Sequence, residues 1–168
     1  RKKIGKKTIF NLIGPLSSPA RVKKQIVGVY NEKWMMPFAE ALKKNKIQNA
    51  MIVHSEDGMD EISPFAKTKI IELNNDKIKG FTIDPNELNI LNKNTDNLKG
   101  KNAEYNAQKI IDIYKGEDNE FSDAVALNVG AGLIITGKEK EFKNSYNSAK
   151  QHLKSGKVFN HLKKIQAI

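Results

Sequence analysis

Two short apolar stretches separated by a helical pattern constrain the fold of this chain more than any other feature. Residues 25–30 (QIVGVY) and 48–54 (QNAMIVH) are apolar and partly β-branched, which is typical of buried strands. Residues 33–45 between them predict a helix that Asn31 can cap, and Pro37 must either kink it or mark its first turn. A strand, a helix and a second strand in this order form a βαβ unit, which favours a parallel sheet.

The chain continues with a hairpin and then a helical region. Residues 68–73 and 79–83 predict two strands joined by a turn at residues 74–76 (NND). We therefore expect one α/β domain over the whole chain, with a partly parallel sheet flanked by helices. Its strands and an acidic loop fall in residues 1–83, and its helices fall in residues 102–168.

One segment of the helical region is apolar on all sides. Residues 121–135 therefore predict a central buried helix, in which Gly130 and Gly132 indicate close packing. Residues 84–101 are polar, with many Asn and Lys, and predict a long loop before the helices.

The net charge of +10 raises the question of a nucleic-acid partner. The charge is concentrated at the two ends, with +5 in residues 1–7 and +6 in residues 138–168, while the 130 residues between them carry −1. Arg1 and Arg21 are the only arginines, so the guanidinium forks that read bases and phosphates are nearly absent. We do not expect nucleic acid to be a partner.

The composition also bears on the cellular compartment. The absence of cysteine excludes disulfides and thiolate metal sites and fits a reducing cytoplasm. The longest apolar run, residues 124–137, is too short to span a bilayer. The sequence begins at Arg1 without a methionine or a signal-peptide pattern, so we expect a piece of a longer cytoplasmic protein that does not bind membranes.

An acidic stretch follows the second predicted strand. Residues 53–63 (VHSEDGMDEIS) contain four carboxylates, Glu56, Asp57, Asp60 and Glu61. Ligands of open α/β sheets bind at the carboxyl ends of the strands, which is where this stretch lies. The adjacent Asp60 and Glu61 repel each other unless solvent or a cation neutralises them, and oxygen ligands suit Mg²⁺ shared with substrate phosphates. A solvated acidic turn without a ligand is the alternative.

A second candidate is the turn in residues 8–20 (TIFNLIGPLSSPA). Gly14 and Pro15 allow the backbone to approach a ligand closely, and Arg1 with the nearby lysines could hold an anion. Composition alone favours a surface loop entered from a basic tail. We interpret His54 as hydrogen-bonded to a neighbouring loop, and Asn128 as structural with a partner inside its helix.

These stretches together resemble the anthranilate phosphoribosyltransferase family. Residues 8–20 resemble its T-I-F-N-x-x-G-P-L-x-N-P-A segment, and residues 53–63 resemble a valine-histidine strand followed by D-G-x-D-E-x-S. Lys7 and Ser18 differ from the arginine and asparagine usual there. The resemblance covers essentially the whole chain. It implies the C-terminal portion of a nucleoside phosphorylase/phosphoribosyltransferase-type fold, without the family's N-terminal helical domain and its G-T-G-G-D loop.

The resemblance implies the transfer of a phosphoribosyl group from phosphoribosyl pyrophosphate to the amine of anthranilate, in tryptophan biosynthesis. Arg1, Gly14 and Pro15 match positions that contact anthranilate. Asp60 and Glu61 match the pair that holds Mg²⁺ on the pyrophosphate. No residue of this chain is expected to be catalytic in itself. The full-length protein is expected to be a homodimer, and the fragment alone is expected to be inactive.

Three other functions compete with this one. A non-catalytic paralogue of the same fold could bind nucleic acid through a basic face, but it would have little reason to keep Asp60 and Glu61 in this loop. A pyrimidine nucleoside phosphorylase shares the general architecture but has different motifs. A purely structural interaction module does not account for the substrate-facing motifs.

Overall fold

The centre of the protein is a four-stranded mixed sheet. The computed structural model describes residues 13–90 and 98–167. The strands are β1 (Lys24–Gly28), β2 (Asn49–Ser55), β3 (Thr68–Asn74) and β4 (Lys77–Ile83), and they lie side by side in chain order. β1 and β2 are parallel, whereas β2–β3 and β3–β4 are antiparallel. The expected partly parallel sheet is confirmed.

The crossover between the parallel strands is the helix α1 (Met35–Lys44), preceded by a 3₁₀ turn over Glu32–Trp34. The side chain of Asn31 accepts a hydrogen bond from the backbone N–H of Lys33 at 3.1 Å, so it caps this entry. Pro37 lies in the first turn of α1, where the missing N–H has no intrahelical partner to lose. Both local signals therefore act as expected.

The antiparallel strands β3 and β4 form the expected hairpin. Asn75 and Asp76 connect them with φ angles of 45° and 68°. Two successive residues with positive φ are typical of a type I′ turn, whose twist matches that of the flanking strands.

Four helices follow: α2 (Ala103–Tyr114), α3 (Glu120–Ile135), α4 (Phe142–Lys154) and α5 (Lys157–Gln166). Alternating residues of β2 divide the core into two layers. Ala50 and Ile52 pack in the cluster that contains α1, and Met51 and Val53 pack in the cluster that contains α3 and α4. The sheet therefore carries α1 on one face and α3 on the other.

The burial of α3 differs from the expectation. Three residues of α3 are fully buried, namely Ala126, Leu127 and Ala131. Val129 of the same helix is 46% exposed. The reason is that the sheet covers one side of α3 and α4 covers another, while a third side faces open clefts. Gly130 confirms the expected close packing, because a Cβ there would lie 3.1 Å from the Ser145 hydroxyl.

The second glycine of α3 does not share this role. A Cβ at Gly132 would meet no atom within 4 Å, so close packing there was a wrong prediction. The loop predicted over residues 84–101 contains a 3₁₀ turn over Pro85–Leu88, and its residues 91–97 lie outside the described part. Within the described ranges, no helix has the length and apolarity that crossing a membrane requires.

Candidate site at the ends of the parallel strands

An open cleft of about 750 Å³ lies between the carboxyl ends of the parallel strands and α3. Gly28 of β1 and Val53 of β2 form its floor, and Phe121 and Asn128 of α3 form the facing wall. The loop from β2 to β3 contributes Asp60 and Glu61 to the rim, together with Met59. The acidic stretch therefore lies at the edge of the sheet that the βαβ pattern predicted.

The first half of the acidic loop is held by its own hydrogen bonds. Asp57 accepts from the backbone N–H of Met59 at 3.2 Å and from the hydroxyl of Ser63 at 2.6 Å. Gly58 has a φ of 88° and donates its N–H to the carbonyl of Ser55 at 3.0 Å, which closes a tight turn. Of the four carboxylates, Asp57 is thus engaged in shaping the loop.

Unlike Asp57, the side chains of Asp60 and Glu61 have no partner among the described residues. Both are exposed, and within residues 13–90 and 98–167 neither side chain has a hydrogen bond or an ion pair. Two adjacent carboxylates without a cationic neighbour in this part of the chain concentrate negative charge at the rim of the cleft. They can accept a cation that the described residues do not supply.

The donor set fits Mg²⁺ rather than a metal caged by protein alone. No group of three or more His, Cys, Asp or Glu side chains among the described residues could enclose an ion. Mg²⁺ prefers carboxylate, phosphate and water oxygens, and it commonly takes one or two carboxylates from a protein. Asp60 and Glu61 can supply such a pair, and the open cleft leaves room for phosphate and water.

The backbone around the pair is fixed on two sides. An added Cβ at Gly28 would lie 1.6 Å from the carbonyl oxygen of Asp60, so the loop crosses the end of β1 in direct backbone contact. One residue after the pair, Ile62 is fully buried and its backbone is hydrogen-bonded to the side chain of Asn128. Asn128 also donates to the carbonyl of Ala124 at 2.9 Å, which is the expected partner inside its helix, so this loop, 66 residues away in sequence, is a second partner that was not expected.

Sequence reasoning missed Gly28 as a site residue. A lone glycine inside a strand pattern often marks a close approach of another backbone, and that signal was present in QIVGVY. Which segment approaches it depends on the path of the acidic loop, which local patterns do not contain.

The second candidate, the turn that contains Gly14 and Pro15, contacts the beginning of β1. Gly14 and Pro15 form an exposed 3₁₀ turn over Gly14–Leu16, and the carbonyl of Pro15 accepts from the Gln25 side chain at 3.3 Å. Gln25 is the second residue of β1 and Gly28 is its last, so roughly 10 Å of strand separates these two residues. Pro15 lines a different cleft from Asp60 and Glu61, and Arg1 lies outside the described residues.

His54 has a structural role, as interpreted from the sequence. Its Nδ1 lies 2.8 Å from the carbonyl oxygen of Val29, which fixes Nδ1 as the donor of this hydrogen bond. The imidazole thereby ties the end of β2 to the segment that follows β1.

Two described ionisable groups with shifted pKa values, Tyr146 and Asp118, lie where α4 packs against the start of α3. Burial raises the pKa of the Tyr146 hydroxyl, and its hydrogen bond to Asp123 at 2.7 Å raises it further. Hydrogen bonds from Lys150 and Lys154, each at 2.6 Å, lower the pKa of Asp118. These groups pair with one another, and we interpret their perturbation as structural.

A perturbed carboxyl also lies just beyond β4. The backbone N–H of Asn86 donates to Asp84 at 2.9 Å and lowers the pKa of its carboxyl. This hydrogen bond caps the 3₁₀ turn over Pro85–Leu88, so the shift reports a cap and not a binding site.

The sequence is similar to known proteins over its whole length. The family described as "Glycosyl transferase family, a/b domain" matches residues 1–159. The anthranilate phosphoribosyltransferase of Pelagibacter ubique is 53% identical over 168 residues, which are all of this chain and 51% of that protein. The enzyme of the same name from Mesorhizobium japonicum is 39% identical over 168 residues, which are 50% of its length. The chain thus spans about half the length of these relatives.

Solved structures give the same comparison at the level of the fold. The anthranilate phosphoribosyltransferase of Thermus thermophilus has a TM-score of 0.87 and 32% identity, over 98% of this chain and 48% of that one. The enzyme from Saccharomyces cerevisiae in complex with PRPP and Mg has a TM-score of 0.85 at 24% identity, over 97% of this chain and 47% of that one. The expected phosphoribosyltransferase/nucleoside phosphorylase-type fold is confirmed.

Proposed function

The chain belongs to the glycosyl transferase family defined by this α/β domain, and from that premise we propose that it is the C-terminal half of an anthranilate phosphoribosyltransferase. The full-length protein transfers the phosphoribosyl group of phosphoribosyl pyrophosphate to the amine of anthranilate and releases pyrophosphate, a step of tryptophan biosynthesis. The observation that carries this proposal is the exposed Asp60–Glu61 pair at the rim of an open cleft. Similarity to enzymes of this name over all 168 residues supports it.

The acidic pair has a defined task in this reaction. Asp60 and Glu61 would hold Mg²⁺, which when bound would supply positive charge against the negative charge of the pyrophosphate leaving group. The yeast relative was solved in complex with PRPP and Mg, which supports Mg²⁺ as the cofactor. The backbone contacts at Gly28 and Ile62 keep the two carboxylates directed at the cleft.

The anthranilate side of the site rests on the resemblance. Arg1 pairs with the carboxylate of anthranilate, because a guanidinium fork fixes both the position and the tilt of a planar acid. Gly14 and Pro15 line its approach with backbone and ring. The ribose carbon develops positive charge as pyrophosphate leaves, so positioning of the amine counts for more than a strong base. No covalent nucleophile is needed.

We also propose a compartment, an oligomeric state and binding partners for the full-length protein. The full-length protein is a cytoplasmic homodimer whose partners are its two substrates. A nucleic-acid-binding paralogue is not favoured, because the net positive charge is concentrated at the two ends of the chain while the rim of the cleft is acidic. An acidic rim repels a polyanion.

The test compares the full-length protein with residues 1–168 alone. We expect the full-length protein to consume anthranilate in the presence of phosphoribosyl pyrophosphate and Mg²⁺, followed by the fluorescence of anthranilate. We expect no turnover by residues 1–168, because the chain spans about half of its relatives and lacks the G-T-G-G-D loop. An inactive full-length protein would contradict the proposed function, and turnover by the fragment would show that this chain alone forms a complete site.

A further inference from the structure

The side chain of Asn128 on α3 forms a two-way hydrogen-bonded pair with the backbone of Ile62, directly after the acidic pair. Its Oδ1 accepts from the N–H of Ile62 at 3.1 Å, and its Nδ2 donates to the carbonyl of Ile62 at 3.2 Å. Nδ2 also donates to the carbonyl of Ala124, one turn earlier in α3, at 2.9 Å. Both amide hydrogens are therefore used, and α3 fixes the orientation of the amide.

We propose that Asn128 is a positioning residue for Asp60 and Glu61. The N–H that it holds belongs to the peptide between Glu61 and Ile62, and the carbonyl belongs to the next peptide. By fixing both peptide planes, Asn128 sets the direction in which the preceding carboxylates leave the backbone. This inference deepens the proposed function and rests on it, because it concerns how the pair is presented to Mg²⁺.

Burial of Ile62 does not replace this contact. The side chain of Ile62 is fully buried and anchors the residue in the core. An anchored side chain still permits rotation of the adjacent peptide planes, and this rotation moves Glu61. The amide of Asn128 supplies the restraint that apolar packing, which has no direction, cannot supply.

The opposite side of the pair is restrained by the backbone of β1. Gly28 lies against the carbonyl of Asp60, so the loop cannot move further towards the strand. Asp60 and Glu61 have no side-chain partner in the described part of the chain that could orient them instead. The orientation of the two carboxylates therefore depends on the backbone contact at Gly28 and on the hydrogen bonds between Asn128 and Ile62.

The pair of hydrogen bonds to the backbone of Ile62 requires an amide side chain, which both accepts and donates. Leucine has a similar size but would leave the N–H and carbonyl of Ile62 without this partner in a buried position. Serine is too short to reach both groups. Residues that orient metal ligands typically change metal affinity by about 10- to 100-fold when they are removed.

The first experiment measures the loop directly, by hydrogen exchange in the full-length protein. Asn128→Leu and Asn128→Ser should each speed the exchange of the Ile62 amide by roughly tenfold, because its acceptor is lost. The control is Tyr146→Phe, which removes a hydrogen bond between α4 and Asp123 of α3 but does not touch the loop. Unchanged exchange at Ile62 in both Asn128 variants would overturn the proposal.

The second experiment measures binding of Mg²⁺ with inorganic pyrophosphate by calorimetry. The dissociation constant should rise by about tenfold in both Asn128 variants and stay unchanged in Tyr146→Phe. If the wild-type protein binds and the dissociation constant is the same in Asn128→Leu and Asn128→Ser, the positioning role alone would be overturned. If the wild-type protein did not bind Mg²⁺ with pyrophosphate, the proposed function itself would fail.

Discussion

Gly28 lies where the acidic loop crosses the end of β1, and a Cβ at this position would lie 1.6 Å from the carbonyl oxygen of Asp60. Gly28→Ala must therefore push the loop away from the strand. We expect a loss of stability of about 1–3 kcal/mol, as for overpacking elsewhere, and a weaker response of the full-length enzyme to Mg²⁺. Urea unfolding and a Mg²⁺ titration of the rate measure the two effects.

Gly132 provides the matched control, because a Cβ there meets no atom within 4 Å. Gly132→Ala in the middle of α3 should be neutral or should stabilise the protein by about 0.5–1 kcal/mol. If Gly28→Ala behaved like Gly132→Ala in both measurements, the close contact between β1 and the acidic loop would not limit the site.

The site residues differ in how far the sequence could predict them. Asp60 and Glu61 could be proposed from the sequence because two adjacent carboxylates after a buried strand are a local signal. The partner of Asn128 inside its own helix was equally local, but its second partner was not, because Ile62 lies 66 residues away. Long-range pairs of this kind require the fold.

At the scale of elements, α3 and α4 are joined by a polar cluster around Lys150, whose side chain is only 12% exposed. Its Nζ contacts Asp118 and the Ser122 hydroxyl at 2.6 Å each, and it also pairs with Asp123. Lys150→Met leaves the poorly exposed carboxylate of Asp123 without this cation, so we expect a loss of about 3 kcal/mol in the free energy of unfolding.

The comparison is with Lys154, which pairs with the same Asp118 but is half exposed. Lys154→Met should cost no more than about 1 kcal/mol, as is usual for exposed ion pairs. Equal losses in urea unfolding of the two variants would show that burial of Lys150 contributes nothing to the strength of the cluster.

The same cluster predicts how stability depends on pH. Hydrogen bonds from Lys150 and then Lys154 lower the pKa of Asp118 below its ordinary value of 3.8. A lowered pKa contributes stability that is present above the ordinary value and is lost as the pH falls through the folded value. Asp118→Asn should therefore flatten the loss of thermal stability below about pH 4. An unaltered pH profile would contradict the assignment.

Elements with strong local signals were predictable, and their burial was less so. Asn31, Pro37 and the turn at Asn75 and Asp76 marked the start of α1 and the hairpin correctly. The apolar sequence of α3 predicted a buried helix, yet Val129 faces an open cleft. Apolar composition indicates how much surface is to be covered and does not indicate which element covers it.

At the scale of the whole molecule, the described structure contains an open cleft lined by the candidate residues and a buried core on both faces of the sheet. The sheet presents Gly28 and Val53, the β2–β3 loop presents the acidic pair, and α3 presents Asn128, all facing one open cleft. The chain spans about half the length of its relatives. In the proposed enzyme, we expect the other half to bind the phosphates of the substrate, and Asp60 and Glu61 would hold the Mg²⁺ that accompanies them.

The measurement that tests this account most directly is the Mg²⁺ dependence of the full-length enzyme carrying both Asp60→Asn and Glu61→Gln. We predict a rate loss of about 10²–10³, because charge on the leaving group is no longer neutralised, with the fold intact by circular dichroism. The control is Glu56→Gln, an exposed carboxylate of the same loop, which should retain the wild-type rate. Wild-type rate and Mg²⁺ dependence in the double variant would contradict the account and leave the pair as a solvated turn.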